Sequence, residues 1–335
     1  MMVGVHTSWA AVLTFKEKMS VVKAVVAADE FLNEGSSPPS LHDLVFIPGS
    51  NTEALAVELA EADALVVRRT KVNDSLLRAG PRLRLVQQVG IGVDGIDLAA
   101  AARQGIPVAN TPQAVTTAVV EHVFLLLLAA ARGFIHQNDR LRRGEWSSLE
   151  IWESLEIAGS TLGIIGFGSI GKGIAQRALT FEAAFLIHTR TLLADPPRGV
   201  DFVELERLLG ESDAVVLAVP LTEKTRGLIG RRELGLMKPS SLFINVARGA
   251  VVDEDALVDA LAAGRLRAAA LDVFAHEPLP PDSPLRRLPN VVATPHYGGA
   301  SSASRRRLWQ QIVDNLDRLA AGRELANVVN RKGHS

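Results

Sequence analysis

One hexapeptide constrains this chain more than any other feature in it. Gly166-Phe167-Gly168-Ser169-Ile170-Gly171 stands between an apolar β run, Thr161–Ile165, and a helical pattern over Ile170–Leu179. The chain has 27 glycines, so a spaced triplet alone would arise by chance; its place between strand and helix gives it meaning. There Gly166 permits a tight turn, Gly168 lets a pyrophosphate approach the backbone, and Gly171 lets helix and strand pack closely. Ser169 and Ile170 open the helix, whose unsatisfied N–H groups face the anion. Such a chain is expected to hold a parallel α/β sheet and to bind a dinucleotide at the carboxyl edge of its strands.

The remaining pattern agrees. Short β-branched runs alternate with helical stretches, as parallel α/β layers require. A first group predicts strands at Lys23–Ala28, Leu44–Ile47, Ala64–Arg68, Leu83–Val89 and Pro107–Ala109, with helices near 52–62, 73–79 and 97–104. A loop rich in Ser, Pro and Gly, Gly35–Ser40, interrupts it. A second group predicts strands near 161–166, 184–189, 214–219, 241–246, 268–274 and 291–294, and a helix over about 302–321 before Gly322. Between the groups a helix is expected over Thr116–Arg132, after Pro112 and before Gly133. Its middle, Val123–Ala131, is apolar all round, so cover on several sides is expected, at a domain junction or a subunit interface.

Composition sets the bounds. At 335 residues there is room for two domains of about 100–200 residues each. A formal net charge of −1 gives no global attraction to nucleic acid or to an anionic membrane, so neither is expected as a partner. The absence of cysteine excludes disulfides, thiolate catalysis and Cys-ligated metal, and fits a reducing cytoplasm. Val123–Ala131 is the longest apolar run, well short of the roughly 20 residues of a spanning helix. No cationic segment precedes Ala10–Phe15, and Lys16-Glu17-Lys18 follows it, unlike a signal peptide. Residues 1–18 read as an extension before Met19.

Which dinucleotide binds depends on the end of the next strand, about 20 residues on, where a carboxylate would hold the ribose 2′-hydroxyl of NAD. That strand reads Phe185-Leu186-Ile187-His188-Thr189-Arg190-Thr191. Thr189 stands where the acid is expected, and Arg190 can pair with a 2′-phosphate through charge-assisted hydrogen bonds. The alternative is an ordinary solvated arginine and less selective binding. NADP is the expected cofactor, with NAD possible.

Three polar residues follow three strand ends on the same edge. Leu242–Val246 leads to Arg248, the strand at 268–274 carries Asp272 and leads to His276-Glu277-Pro278, and Val291–Thr294 leads to His296-Tyr297-Gly298-Gly299. Each alone reads as structural; together, in a dinucleotide domain, they make a reaction centre. Reducing a 2-keto acid requires a cation for the carboxylate and ketone oxygen, a proton for the developing alkoxide and a nearby hydride. Arginine suits the first task and histidine the second, and a carboxylate such as Glu277 would orient the imidazole. His276 adjoins Glu277, but neighbours on an extended segment point apart, so His296 is taken as the acid.

With these residues in view, the chain resembles the D-2-hydroxyacid dehydrogenase family, in particular its NADP-preferring glyoxylate/hydroxypyruvate reductase-like members. The resemblance runs from about Val22 to Asn330. It rests on Val89-Gly90-Ile91-Gly92-Val93-Asp94, Asn110-Thr111-Pro112, Val120-Glu121-His122, the glycine loop and Asn245-Val246-Ala247-Arg248-Gly249. Leu271-Asp272-Val273-Phe274, Glu277-Pro278 and Thr294-Pro295-His296 complete it. It implies an α/β protein of two open parallel-sheet domains, a Rossmann dinucleotide-binding domain (116–296) inserted in a flavodoxin-like substrate domain (19–115 with 297–330), with the active site in the cleft between them. It implies that Arg248 binds and polarises substrate, His296 is acid/base and Glu277 pairs with it. It further implies that backbone N–H groups of Val89–Gly92 hold the substrate carboxylate and that Asp272 contacts the nicotinamide carboxamide. Val219, Pro220, Thr225, Ala247, Arg248, His296 and Gly298 are expected to complete the cofactor contacts, and a homodimer through the cofactor domain is implied.

Departures from the family pattern are Thr189, Glu182 where a glycine commonly precedes the second strand, and Tyr297 after the histidine. Tyr297 could narrow the pocket, offer a hydroxyl, or pack at the hinge. Arg68, at a strand end, could read a second anionic group or be a solvated charge. Other readings are a phosphoglycerate dehydrogenase-like enzyme and a non-enzymatic dinucleotide sensor resembling the C-terminal binding protein co-repressors, which keep the same three residues. Formate dehydrogenase relatives are disfavoured by Glu277.

Overall fold

Runs such as Ala24-Val25-Val26 and Ala64-Leu65-Val66-Val67 are apolar at every position, so each strand must be covered on both faces. That requirement is met twice. The computed structural model describes residues 20–146, 154–190 and 200–331. It divides into two compact units, one of the residues up to Val115 with those from Ser301 on, the other Thr116–Ala300. The extension 1–18 and Thr191 lie outside the described residues.

In the first unit β1 (Lys23–Ala28), β2 (Asp43–Pro48), β3 (Ala64–Val67), β4 (Leu85–Gln88) and β5 (Val108–Ala109) form a parallel sheet in the order β2-β1-β3-β4-β5. Helices α1 (Thr52–Leu59), α2 (Asp74–Arg78) and α3 (Leu98–Arg103) start at Asn51, Asn73 and Asp97. Each of these side chains accepts a backbone N–H of the first turn that would otherwise lack a partner. Leu55, Leu59, Leu77 and Ala100 pack on one face of the sheet against Val25, Leu65 and Val86. The C-terminal helix Ser302–Ala320 covers the other face with Leu308, Trp309, Ile312 and Leu316.

The second unit begins with α4 (Thr116–Ala131) and α5 (Phe134–Arg142). Its strands are β6 (Thr161–Ile165), β7 (Ala184–His188), β8 (Val200–Phe202), β9 (Ala214–Leu217), β10 (Leu242–Asn245), β11 (Ala268–Leu271) and β12 (Val291–Ala293). The helices between them are α6 (Ser169–Ala178), α7 (Leu205–Glu211), α8 (Arg231–Leu236) and α9 (Glu254–Ala262). The sheet is parallel in the order β12-β11-β10-β9-β6-β7-β8. The chain therefore winds one way from β6 and then returns to wind the other way from β9, and the crevice at that reversal is where such sheets bind ligands. Register makes the edge level: Ile165 pairs with Leu217, Leu217 with Asn245, Asn245 with Leu271 and Leu271 with Ala293.

Two details differ from the sequence reading. β11 stops at Leu271, so Asp272, Val273 and Phe274 belong to the turn beyond it. The edge strand β8 and helices α5, α7, α8 and α9 were not anticipated. Within one chain α4 buries Val120, Val123, Leu126 and Leu127 and leaves Leu125, at 59%, and Leu128 exposed. No single helix among the described residues is long and apolar enough to cross a membrane.

Glu182 also finds its explanation. It ends the turn Leu179–Phe181 at φ +57, in the left-handed region that disfavours every residue with a Cβ. Glu182→Gly removes a left-handed cost of about 1–2 kcal/mol and adds about 0.4–1 kcal/mol of chain entropy to the unfolded state. A thermal denaturation midpoint above that of the wild type is expected; a lower one contradicts the account.

Candidate active site

The glycine loop leaves the end of β6 at the sheet's reversal. Gly166 has φ +102, its N–H donates to the His188 carbonyl at 2.8 Å, and a Cβ there would lie 2.5 Å from the Ala218 carbonyl oxygen. A Cβ on Gly171 would lie 2.1 Å from the Gly166 oxygen. Both glycines are demanded by packing. Over Gly168, by contrast, a Cβ would meet nothing within 4 Å, so the backbone is open where Ser169 and Ile170 begin α6. A cradle closed below and open above fits a pyrophosphate. Beyond β9 the hydroxyl of Thr225 donates to the Pro220 carbonyl at 2.6 Å and accepts the Thr222 N–H at 2.8 Å. This pins the Val219–Thr225 turn, and Val219 itself flanks Gly166. Thr189 is half-buried and Arg190 exposed just past β7. Among the described residues Arg190 has no ion-pair partner.

The next group stands past β10, β11 and β12. Adjacent strands lie about 4.8 Å apart, so the turns that follow them are within side-chain reach of each other. Asn245 accepts the Ala247 N–H (3.0 Å) and donates to the Arg248 carbonyl (3.1 Å), shaping the turn that carries the half-buried guanidinium. The guanidinium Nη1 donates to the Ala247 carbonyl at 2.8 Å. Gly249 then presses on the next turn: a Cβ would sit 1.9 Å from the Phe274 carbonyl carbon. Glu277 Oε1 accepts the Phe274 N–H at 3.1 Å, and its Oε2 lies 2.7 Å from His296 Nδ1. A carboxylate only accepts, so Nδ1 carries the proton toward Glu277 and Nε2 is left to act on a substrate. His276 is exposed, and the pairing of Glu277 goes to His296.

Asp272, to which the resemblance gave the nicotinamide carboxamide, is engaged by groups of this chain. It is 3% exposed, and its oxygens accept from the Thr294 hydroxyl (2.6 Å), the Tyr297 N–H (2.7 Å) and the Gly298 N–H (2.8 Å). The Thr294 hydroxyl in turn lies 2.9 Å from Nε2 of His122, a buried residue of α4. Burial pushes the Asp272 carboxyl up, but the hydrogen bonds from His122, Thr294, Tyr297 and Gly298 outweigh it and hold the group below its ordinary value. Gly298 fits closely, since a Cβ would lie 2.8 Å from Asp272 Oδ2. Sequence reasoning did not single out His122 or Thr294 for this; the one signal was a histidine, beside Glu121, in a largely apolar helix. Tyr297 is 57% exposed, its ring edge-on to His122 with centroids 6.5 Å apart.

In the first unit the segment Val89–Gly92 follows β4. Gly90 has φ +118, and its N–H already donates to Thr111 Oγ1 at 2.7 Å, while Asn110 Nδ2 holds the Ile91 carbonyl at 2.9 Å. Arg68 is not a solvated charge. Its Nη1 pairs with Asp29 at 2.8 Å and its guanidinium lies 4.9 Å over the Phe31 ring. Among the described residues no group of three acidic or histidine side chains is placed to hold a metal.

A doubly wound sheet with a phosphate cradle and a guanidinium, a carboxylate and an imidazole on one edge defines a nicotinamide-dependent oxidoreductase. Residues 124–298 match the family model for the D-isomer specific 2-hydroxyacid dehydrogenase, NAD binding domain. A glyoxylate reductase of Aeropyrum pernix is 41% identical over 84% of this chain and 86% of its own length. A D-3-phosphoglycerate dehydrogenase of Methanocaldococcus jannaschii is 38% identical over 84% of this chain, but the match spans only 54% of that protein. Among solved structures, an NADPH-dependent glyoxylate/hydroxypyruvate reductase of Sinorhizobium meliloti, in complex with NADP and malonate, superposes with a TM-score of 0.82 at 30% identity, over 92% of this chain and 97% of that one. The chain belongs to the D-isomer specific 2-hydroxyacid dehydrogenases.

Two outcomes follow from the geometry. Gly249→Ala drives a methyl into the backbone before Glu277 and is expected to cost about 1–3 kcal/mol of stability together with activity; a variant with wild-type melting and turnover contradicts the packing. For Asp272, the folded-state value lies below the unfolded one. Its contribution is therefore whole at neutral pH and is lost as pH falls below about 4. The stability gap between wild type and Asp272→Asn, read by denaturant unfolding, is expected to narrow there. A gap that widens on acidification contradicts the assignment.

Proposed function

We propose that this protein is an NADPH-preferring reductase of glyoxylate, hydroxypyruvate and similarly small 2-keto acids, producing the D-2-hydroxy acid where the product is chiral. The observation that carries the reading is the 2.7 Å pairing of Glu277 with His296 past β12, on the edge where Arg248 follows β10. When bound, the reduced dinucleotide supplies the hydride to C2 of the keto acid. The chain's residues do the rest. Arg248 binds the carboxylate and draws charge onto the ketone oxygen. His296 Nε2 gives that oxygen a proton as negative charge develops, and Glu277 keeps the imidazole aimed. In the first unit the N–H of Gly90 is already taken by the Thr111 hydroxyl.

A phosphorylated substrate needs a second cation, and Arg68 is the candidate. Its charge is already answered by Asp29, which favours the small unphosphorylated acids. NADP preference rests on Thr189, which offers no carboxylate to the ribose, and on the exposed Arg190. The NADPH-dependent Sinorhizobium relative agrees with it. A dimer is supported by Leu125 and Leu128 on α4 and by Phe134, Ile135 and Leu141 on α5, large apolar side chains left exposed in one stretch of chain. A cytoplasmic location suits an enzyme that draws on reduced nicotinamide.

The test is oxidation of NADPH and of NADH, followed by absorbance, with glyoxylate, hydroxypyruvate, pyruvate and phenylpyruvate. Turnover of the two smallest acids is expected with NADPH preferred, and Arg190→Ala is expected to cut that preference about 10- to 100-fold. Equal or better efficiency with NADH overturns the cofactor assignment. No turnover of any keto acid by folded, cofactor-bound protein overturns the enzyme and favours a sensing scaffold.

A further inference from the structure

His296 has φ +53, a conformation that a residue with a side chain rarely adopts, and Tyr297 and Gly298 follow it directly. Some interaction must hold the turn there. The N–H groups of three successive residues, 296, 297 and 298, all donate to Asp272, to its main-chain oxygen at 2.8 Å and to its two carboxylate oxygens at 2.7 and 2.8 Å. Asp272 is thus the template on which the histidine's turn is moulded. Its side chain is fixed in turn by Thr294, whose hydroxyl lies 2.6 Å from Oδ1.

The direction of these bonds is determined. The carboxylate has no proton to give, so the Thr294 hydroxyl donates to it and offers His122 only a lone pair. His122 Nε2 must then donate at 2.9 Å. The His122 N–H therefore faces the Thr294 hydroxyl, with Asp272 Oδ1 also 3.4 Å from Nε2, and the Thr294 hydroxyl donates to the Asp272 carboxylate. His122 is carried by α4, which packs against β10, β11 and β12 beneath this edge. Neither Thr294 nor His122 is bonded to Glu277 or to the outward Nε2 of His296 among the described residues.

We propose that Thr294 and His122 are positioning residues for the reaction: the Thr294 hydroxyl, backed by His122, locks the Asp272 template that keeps the His296 imidazole on Glu277 and aimed at substrate. The inference rests on the functional reading above and adds a second layer to it. It differs from a packing role in a way that two small substitutions separate. Thr294→Val keeps the shape and loses the hydroxyl; Thr294→Ser keeps the hydroxyl and loses a methyl.

The experiment is steady-state reduction of glyoxylate by the full chain with NADPH, with rates normalised to NADPH-binding sites so that unfolded protein does not register. Thr294→Val is expected to lose about 10- to 100-fold in kcat, with KM for glyoxylate and Kd for NADPH within about twofold of wild type, while Thr294→Ser stays within about threefold in kcat. His122→Gln, which retains an N–H donor, is expected to exceed His122→Leu by about fivefold or more, a comparison that stands even if Thr294→Val fails to fold. Thr294→Val at least as fast as Thr294→Ser, or equal rates for the two His122 variants, overturns this inference alone. A wild type inert toward every keto acid overturns the functional reading instead.

Discussion

The second sheet ends level, and the chemistry depends on that. Ile165, Leu217, Asn245, Leu271 and Ala293 stand side by side at the carboxyl ends of five neighbouring parallel strands. In a parallel ladder register is held along the whole strand, and β9, β10 and β11 are buried along their whole length, so a slip of one residue there would misplace every side chain. A residue placed one to six positions past any of these ends therefore falls in one narrow zone. Gly166, Arg248, Asp272, Glu277 and His296 are all so placed. The fold brings distant parts of the sequence together without any of these residues having to find the others.

Within that zone the backbone does as much as the side chains. Gly171 lets α6 come down onto the glycine loop, and Gly249 lets the arginine turn rest directly on the segment before Glu277. Each close approach transmits position from one strand end to the next. The polar groups are matched rather than left over: the buried Asp272 answers three amides and a hydroxyl, and the more exposed Glu277 answers one amide and the imidazole. In the reaction proposed above, preorganisation of this kind would let the guanidinium and the imidazole act without rearranging.

Much of this was readable from the residues alone. Buried parallel strands write themselves as short β-branched runs, so the main strands were located, and the residues past their ends followed by counting. What the sequence did not disclose is what the third dimension decides. Val273 and Phe274 extend the β pattern beyond Leu271, which hid the fact that Asp272 already belongs to a turn. β8 is an edge strand of three residues, too short to carry a pattern. Arg68 looked like a free cation because its partner Asp29 is far away in the chain, and Gly90 looked like an open donor because Thr111 is. Glu182 resisted explanation until its left-handed backbone was seen. His122 was read as part of a motif, and only the geometry shows it reaching Thr294.

The central claim is that the imidazole of His296, held by Glu277, supplies the proton on an edge that binds the dinucleotide independently. The most direct measurement is a comparison of wild type and His296→Asn, with NADPH affinity by titration and kcat/KM for glyoxylate by steady-state assay on the same preparations. The expected result is a kcat/KM lower by about 10²- to 10⁴-fold with NADPH affinity unchanged. A variant that reduces glyoxylate at close to the wild-type rate would contradict the account.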